Sequence, residues 1–290
     1  MTTLDSFNPI TLFLYIGSIS LIPMFCFDPV LSAIALAAGS CLCFTLKGQA
    51  DIKNQLSLMW IFVGVSLFNP LFSHKGETVL FYLNRNPITL EAVLYGMSAA
   101  LSVIAVLLLF RAFSHLISSD KLIYIFGRIS PRLALLISMS LRFIPMLISQ
   151  GKKIHSARRT MGLCQQDNII AAIKNRVEEF SCLTTWGLEN SIITADSMQA
   201  RGAGSRLRRT HFAIYRFRII DFVMLVISIG ACFLMAYANY IGCIGYEFYP
   251  CITGPDNAVI FYLIYFAAAF LPTAIQIGGA LRWRYYESRI

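Results

Sequence analysis

Residues 90–110 read LEAVLYGMSAALSVIAVLLLF, and Glu91, in the second position, is the only charged residue among them. Runs of about 18 or more apolar residues are typical of membrane-spanning helices, because a helix of that length crosses roughly 30 Å of hydrocarbon. The segment therefore predicts a transmembrane helix.

The same pattern recurs along the whole chain of 290 residues. Six segments are expected to span the membrane, at residues 10–27, 29–46, 56–73, 90–110, 219–240 and 258–281. Hydrophobic residues make up 57% of the chain and charged residues 13%, against about 45–50% and 25% in ordinary soluble domains. The composition excludes a soluble fold and predicts an all-α, polytopic helical membrane protein with about six transmembrane helices.

A seventh apolar run, residues 133–150, contains Pro145 and has Arg142 near its centre. An arginine at the bilayer midplane costs about 2.5–3.5 kcal/mol. If this run does not span, 22 of the 24 Lys and Arg residues lie on one side of the membrane, and only Lys75 and Arg85 lie on the other. Cytoplasmic loops carry the excess of basic residues, so we expect six spans, both termini in the cytoplasm, and the seventh run at the interface or packed within protein.

The net charge of +9 is explained by this orientation, so nucleic acid is not expected as a partner. The eight cysteines form no CxxC pair and no metal-ligand array with the four histidines, so no metal or cofactor is expected. Cys243 and Cys251 share one expected external loop, and both free thiols and a disulfide are compatible with that position.

A segment rich in basic residues follows the seventh run, holding 12 of the 24 Lys and Arg residues. A basic helix through Arg158 and Arg159 is expected to end at Gly162, and a second, apolar-periodic helix is expected to end at Gly202 after Arg201. Capping alone explains either end, since cations near a helix C-terminus complement its dipole. Together the two ends indicate a connector, because a guanidinium on a helix end can bond to a carboxylate or carbonyl of another protein.

Three parts of the chain are predicted from this pattern. They are N-terminal transmembrane helices at 1–132, interfacial and cytoplasmic coupling helices at 133–218, and C-terminal transmembrane helices at 219–290. Both expected external loops are short, so no folded external domain is predicted between the spans.

The stretch TADSMQARG at residues 194–202 resembles a signature of the transmembrane T component of energy-coupling factor (ECF) transporters, a family that includes the membrane subunit of cobalt transporters. Its Ala200, Arg201 and Gly202 match the Ala-Arg-Gly that closes the family's last coupling helix. Further similarity covers nearly the whole chain, at residues 8–11, 87–91, 140–145, 186–190, 209–212 and 215–217.

The first coupling signature departs from the family pattern. In ARRTMG, at residues 157–162, Met161 stands where the family has an arginine. Two alternatives follow: either Arg158 or Arg159 supplies the charge from a neighbouring position, or this site docks through a flexible apolar contact.

The resemblance implies a non-catalytic transport subunit in the prokaryotic cell membrane. In such transporters two ABC-type ATPases bind the coupling helices from the cytoplasm, and a separate membrane subunit, the S component, captures a vitamin or a metal ion. The ATPase-coupling residues implied here are Ala200, Arg201 and Gly202 at one end and Arg158, Arg159 and Gly162 at the other. ATP is expected to be bound by the partner subunits, because this sequence has no GxxxxGK[ST] phosphate-binding loop.

Three other classes of protein are the alternatives. A secondary transporter predicts ionisable residues near the membrane midplane, whereas Glu91 and Asp221 lie at span ends. An integral-membrane enzyme predicts clustered acids or histidines, whereas the four histidines are scattered. A conventional ABC permease has a single short coupling helix and does not require a basic segment of this length.

Overall fold

The computed structural model describes residues 7–47, 52–73, 76–83, 86–163, 169–203, 217–246 and 258–287, together with residue 215 and the pairs 248–249 and 254–255. The helices are α1 (Pro9–Phe25), α2 (Pro29–Lys47), α3 (Ile52–Phe72), α4 (Leu90–Leu116), α5 (Ser119–Ile129), α6 (Pro131–Thr160), α7 (Ile169–Ala200), α8 (Ile219–Ile241) and α9 (Val259–Glu287), and the strands are β1 (Val79–Leu83) and β2 (Asn86–Thr89). Cys251 and the similar stretch 209–212 lie outside the described residues.

The chain divides into two compact units. Residues 1–122 and 215–290 form one, which we call the membrane unit, and residues 123–214 form the other, which we call the hairpin unit. The predicted division at residues 132 and 218 concerns placement relative to the membrane and stays a prediction.

All six expected spans are helices, namely α1 to α4, α8 and α9. Among the described residues, five helices are long and apolar enough to cross a membrane (α2, α4, α6, α8 and α9), and α1 and the apolar part of α3, Ser57–Phe72, are shorter. The chain is therefore a helical polytopic membrane protein, as predicted. Helix α6 is long and apolar enough to cross a membrane, but length and composition do not show whether it does so. The expectation that its apolar half does not span therefore stays a prediction.

Two features of the fold differ from the sequence-based expectation. The seventh apolar run and the basic helix after it form one continuous helix, α6, because Pro145 removes only one backbone donor and does not end it. The expected external loop between α3 and α4 contains the antiparallel pair β1 and β2, in which Val79 lies opposite Thr89.

Two buried carboxylates of the membrane unit lie in the first turns of helices and bind the backbone of other segments. Asp221 in the first turn of α8 accepts hydrogen bonds from the backbone N–H of Arg218 at 2.8 Å and from that of Asn8 at 3.3 Å, which ties α8 to the start of α1. Glu91 in the first turn of α4 accepts from the backbone N–H of Thr78 at 3.2 Å and from its hydroxyl at 2.7 Å. Asp221 thus links two helix starts and Glu91 links the start of α4 to the segment before β1, and these structural roles do not support the ion pathway expected of a secondary transporter.

A proline inside α1 is compensated by a tyrosine from α9. Pro23 has no N–H, so the carbonyl of Ile19, four residues earlier, loses its helical partner. The hydroxyl of Tyr265 donates to that carbonyl at 3.3 Å. In a bilayer no water can replace a lost backbone hydrogen bond, so this contact satisfies a group that is otherwise costly.

The reciprocal arrangement occurs in α9. Pro272 leaves the carbonyl of Ala268 without its helical donor, and the hydroxyl of Tyr15 from α1 donates to it. Tyr15 and Tyr265 are 1% and 0% exposed. The first and last described spans are therefore joined by two buried tyrosines, each bonded to a carbonyl that a proline has released.

A glycine permits a close approach between α3 and α4. A Cβ atom on Gly96 of α4 would lie 2.7 Å from the carbonyl oxygen of Ser66 of α3, a distance that real Cβ atoms do not reach. Pro70, four residues after Ser66, leaves that carbonyl without a helical donor. Nearby, the amide of Asn69 donates to the carbonyl of Ala92 at 3.2 Å, which bonds the two helices directly.

Candidate coupling site

The first candidate end is the C-terminus of α6. Met161 is the C-cap residue, and Gly162 follows with a φ of 74°. The N–H of Gly162 donates to the carbonyl of Arg159, and the N–H of Leu163 donates to the carbonyl of Arg158, both at 3.1 Å. These two bonds form a Schellman motif, which needs a left-handed residue and explains the glycine.

The C-terminus of α7 is built in the same way. Gly202, with a φ of 83°, follows Arg201. Its N–H donates to the carbonyl of Gln199, and the N–H of Ala203 donates to the carbonyl of Met198, both at 2.9 Å. The second end is therefore also a Schellman motif, with Arg201 in the C-cap position.

The shared motif aligns the two ends residue by residue. Met161 corresponds to Arg201, and Arg158 corresponds to Met198, so arginine and methionine have exchanged places between the two ends. Met161 is 73% exposed, and Arg201 and Ala200 are also exposed. Both ends present a solvent-facing side chain at the C-cap, but its chemistry differs.

Arg158 is engaged within the hairpin unit. Its guanidinium lies 2.6 Å from a carboxylate oxygen of Glu178 on α7, and its side chain is 13% exposed. This hydrogen bond to the guanidinium holds the pKa of Glu178 below its ordinary value. Arg159, in contrast, is exposed. Of the two candidate cations at the α6 end, Arg158 faces α7 and Arg159 faces solvent.

A second polar contact lies one turn away. Nδ1 of His155 is 2.7 Å from a carboxylate oxygen of Glu179, whose other oxygen lies 3.5 Å from the guanidinium of Arg176. The side chain of His155 is half-exposed and is paired with α7 across the two helices. Sequence reasoning missed both glutamates; the available signal is that Glu178 and Glu179 are adjacent acids in a basic segment.

Helices α6 and α7 of the hairpin unit run antiparallel. His155 of α6 is level with Glu179 of α7, and Leu147 of α6 is level with Gly187, so residue numbers rise along one helix as they fall along the other. The C-terminal ends of α6 and α7 therefore point in opposite directions. About 30 residues of α7 separate the levels of the two ends, or about 45 Å along the axis at 1.5 Å per residue.

In the part of the chain that the structure describes, much of the apolar surface of α7 is exposed. None of its side chains is buried among the described residues. Large apolar side chains follow one another along the helix with high exposure: Ile169, Ile170, Ile173, Val177, Phe180, Leu188, Ile192 and Ile193. Contiguous apolar surface on this scale is typical of protein or membrane contact sites.

The chain thus combines a polytopic helical membrane unit with a helical hairpin whose two ends carry the same cap. No family model matches the chain. The energy-coupling factor transporter transmembrane protein EcfT 1 of Listeria monocytogenes serotype 1/2a is 25% identical to it over 197 residues, which cover 63% of this chain and 73% of the relative.

A second relative gives the same result. The energy-coupling factor transporter transmembrane protein EcfT of Leuconostoc gelidum subsp. gasicomitatum is 23% identical over 187 residues, which cover 60% of this chain and 68% of the relative. The resemblance to ECF transporter T components that the motifs indicate is thereby confirmed.

We expect the contact between α6 and α7 to loosen in acid. Because the pKa of Glu178 is lowered in the folded state, its pairing with Arg158 stabilises the hairpin at pH values above the ordinary carboxyl pKa, and that contribution is lost as the pH falls through the lower folded value. Spin labels on Ser156→Cys and Ser181→Cys, in a cysteine-free background, should report a narrow distance distribution at about pH 6 and a broader one as the pH is lowered through the depressed pKa of Glu178.

The matched variant Glu178→Gln removes the titrating group and should give the broad distribution throughout this pH range. A wild-type distribution of constant width over this range would show that the ion pair does not hold the two helices together.

Proposed function

We propose that this chain is the T component of an ECF-type importer, which joins two cytoplasmic ABC-type ATPases to a substrate-binding membrane S subunit for uptake of a vitamin or a metal ion. One observation carries the proposal: two exposed helix ends with the same cap, one of them bearing Arg201, lie on antiparallel helices. The chain itself performs no chemistry, and its partners bind ATP.

The geometry of the ends favours two ATPase chains over one. The ends point in opposite directions and are separated by about 45 Å along the hairpin. A single docking groove cannot hold both, so each end serves a different partner chain. The coupling residues of this proposal are Arg201 with Ala200 and Gly202 at one end, and Gly162 with its arginine neighbours at the other.

Motion of the ATPases reaches the membrane through these helices. When two ATPase chains close on ATP, the distance between their grooves changes, and the helix ends held in them must follow. A helix pair with two discrete packings converts that displacement into two states of the membrane assembly. Nucleotide needs only to bias the equilibrium between them.

The exposed apolar surface of α7 supports the presence of a further partner. Side chains such as Ile173, Val177 and Phe180 are more than half exposed. Burying an apolar side chain stabilises a contact by about 1.5–3 kcal/mol at most, so several together can hold a membrane subunit. We assign this surface to the S subunit.

The proposed assembly is tested by affinity purification of the tagged chain from its native membranes in mild detergent. We expect three kinds of protein to be recovered with it: two ATPase chains with phosphate-binding loops and one small membrane protein. The purified chain alone should neither hydrolyse ATP nor transport solute in vesicles. Transport by the isolated chain in a proton or sodium gradient would establish a secondary transporter instead.

We place the chain in the prokaryotic cell membrane with both termini in the cytoplasm. The distribution of basic residues supports this orientation. A single cysteine introduced at Ser205, in a cysteine-free background, should react with an impermeant maleimide in inside-out vesicles and not in intact cells. A matched cysteine at Glu77, in the expected external loop, should show the opposite pattern. Labelling of the Ser205 variant in intact cells would overturn the topology.

A further inference from the structure

We infer that the α6 end binds its ATPase through an apolar contact of Met161, whereas Arg158 is a positioning residue that orients this end by pairing with Glu178. The inference rests on the proposed function and concerns the chemistry of one of its two docking sites. It decides between the two alternatives that the departure from the family pattern leaves open.

The cap geometry identifies Met161 as the docking residue. In the two Schellman motifs, Met161 and Arg201 occupy the same C-cap position, directly before the left-handed glycine. At the α7 end this position presents the guanidinium of Arg201 to a partner. At the α6 end the equivalent position presents the thioether of Met161. Met161 is 73% exposed and Leu163 beside it is 52% exposed, so the tip of the α6 end is apolar.

Arg158 is not placed to dock. Its position in the motif corresponds to Met198, three residues before the C-cap, and its guanidinium is bonded to Glu178 at 2.6 Å. Releasing it toward a partner would break this ion pair and leave only the more distant charge of Lys174 to act on that carboxylate. The pair instead ties the last turn of α6 to α7, which fixes the direction in which Met161 points.

Arg159 does not replace the missing charge either. It corresponds to Gln199 in the aligned motifs, and it precedes Met161 by two residues. Residues two apart on a helix lie about 200° apart around the axis, so Arg159 and Met161 face nearly opposite sides. A groove that holds Met161 therefore meets Arg159 only at its rim.

The two ATPase chains must then offer different grooves. The α7 end requires carboxylate or carbonyl groups that bond to a guanidinium, and its binding weakens with salt. The α6 end requires an apolar pocket, which an unbranched and polarisable methionine side chain fills well, and its binding is insensitive to salt. Unequal ends also fix which ATPase chain occupies which site, because each groove rejects the wrong end.

The inference is tested on the intact complex with a photocrosslinking amino acid at Leu163 or at Ala203, so that each end reports its own ATPase separately. Met161→Glu should reduce crosslinking at the α6 end by roughly tenfold or more and leave the α7 end unchanged, whereas Met161→Leu should retain both. Raising the salt concentration should reduce crosslinking at the α7 end only. Since Met161 is exposed, its substitution does not disturb the helix pair.

A charge exchange tests the role of Arg158. Arg158→Glu alone should weaken crosslinking at the α6 end, and the double variant Arg158→Glu with Glu178→Arg should restore it, because the pair is rebuilt with its charges reversed. A direct contact of Arg158 with the ATPase would not be restored by this exchange.

Three results have distinct meanings. Unchanged crosslinking in Met161→Glu, or no restoration by the charge exchange, overturns the inference and leaves the proposed function standing. Loss of the α6 crosslink in Arg159→Glu together with its retention in Met161→Glu assigns docking to Arg159 and likewise overturns it. Absence of an ATPase crosslink at both ends of the unmodified chain removes the proposed function itself.

Discussion

Arg201→Glu is expected to lower, by more than tenfold, the co-purification of the ATPase chain that binds the α7 end. Truncating one partner of a buried, hydrogen-bonded charge pair at an interface costs about 2–5 kcal/mol, and a carboxylate in its place adds repulsion. The new negative charge also lies beside a helix C-terminus, where the dipole opposes it by about 0.3–1 kcal/mol. The readout is the ratio of each ATPase chain to this chain after affinity purification.

Two control variants separate docking from general charge effects. Lys153→Glu makes the same change in net charge on an exposed position within α6, away from both ends, and should leave recovery unchanged. Arg201→Lys keeps the charge and loses the bidentate geometry of guanidinium, so recovery should be intermediate. Equal recovery from Arg201→Glu and the unmodified chain would remove Arg201 from the docking role.

The double variant Tyr15→Phe with Tyr265→Phe is expected to destabilise the membrane unit by about 2–6 kcal/mol, since each lost hydroxyl leaves a buried carbonyl unsatisfied at about 1–3 kcal/mol. Side-chain hydrogen bonds between membrane helices average only about 0.6 kcal/mol, because the unfolded state finds other partners. The larger figure applies here because a proline has removed the helical donor of each carbonyl. Unfolding by denaturing detergent in bicelles gives the free energy.

A proline substitution supplies the decisive comparison. Pro272→Ala returns a backbone N–H to α9, which can bond to the carbonyl of Ala268 within the helix. Tyr15→Phe should therefore cost clearly less in the Pro272→Ala background than alone. Tyr237→Phe changes an exposed tyrosine of α8 and should be neutral. Equal costs in both backgrounds would show that the hydroxyl does not compensate for the proline.

The positions of the spans follow from local sequence because the bilayer leaves the chain few options. Without water in the hydrocarbon, a long apolar segment must satisfy its backbone groups internally, and a helix does so. The C-terminal ends of α6 and α7 also follow from local sequence. Gly162 and Gly202 supply the left-handed residue that each cap requires. Pairing of β1 with β2 was missed because it depends on two short strands in an expected loop.

The sequence by itself determined that this is a polytopic helical membrane protein. It also predicted a basic segment with two helices that each end at a glycine, and its motifs indicated the ECF relatives. Those conclusions rest on contiguous residues, which define helix length, capping and charge. Only the tertiary structure decided that Arg158 is held by Glu178, that Met161 stands at the position of Arg201, and that Tyr15 and Tyr265 satisfy carbonyls released by prolines. These contacts join residues that are 20 to more than 200 positions apart, or depend on the geometry of a turn, and local propensity carries no information about such pairings.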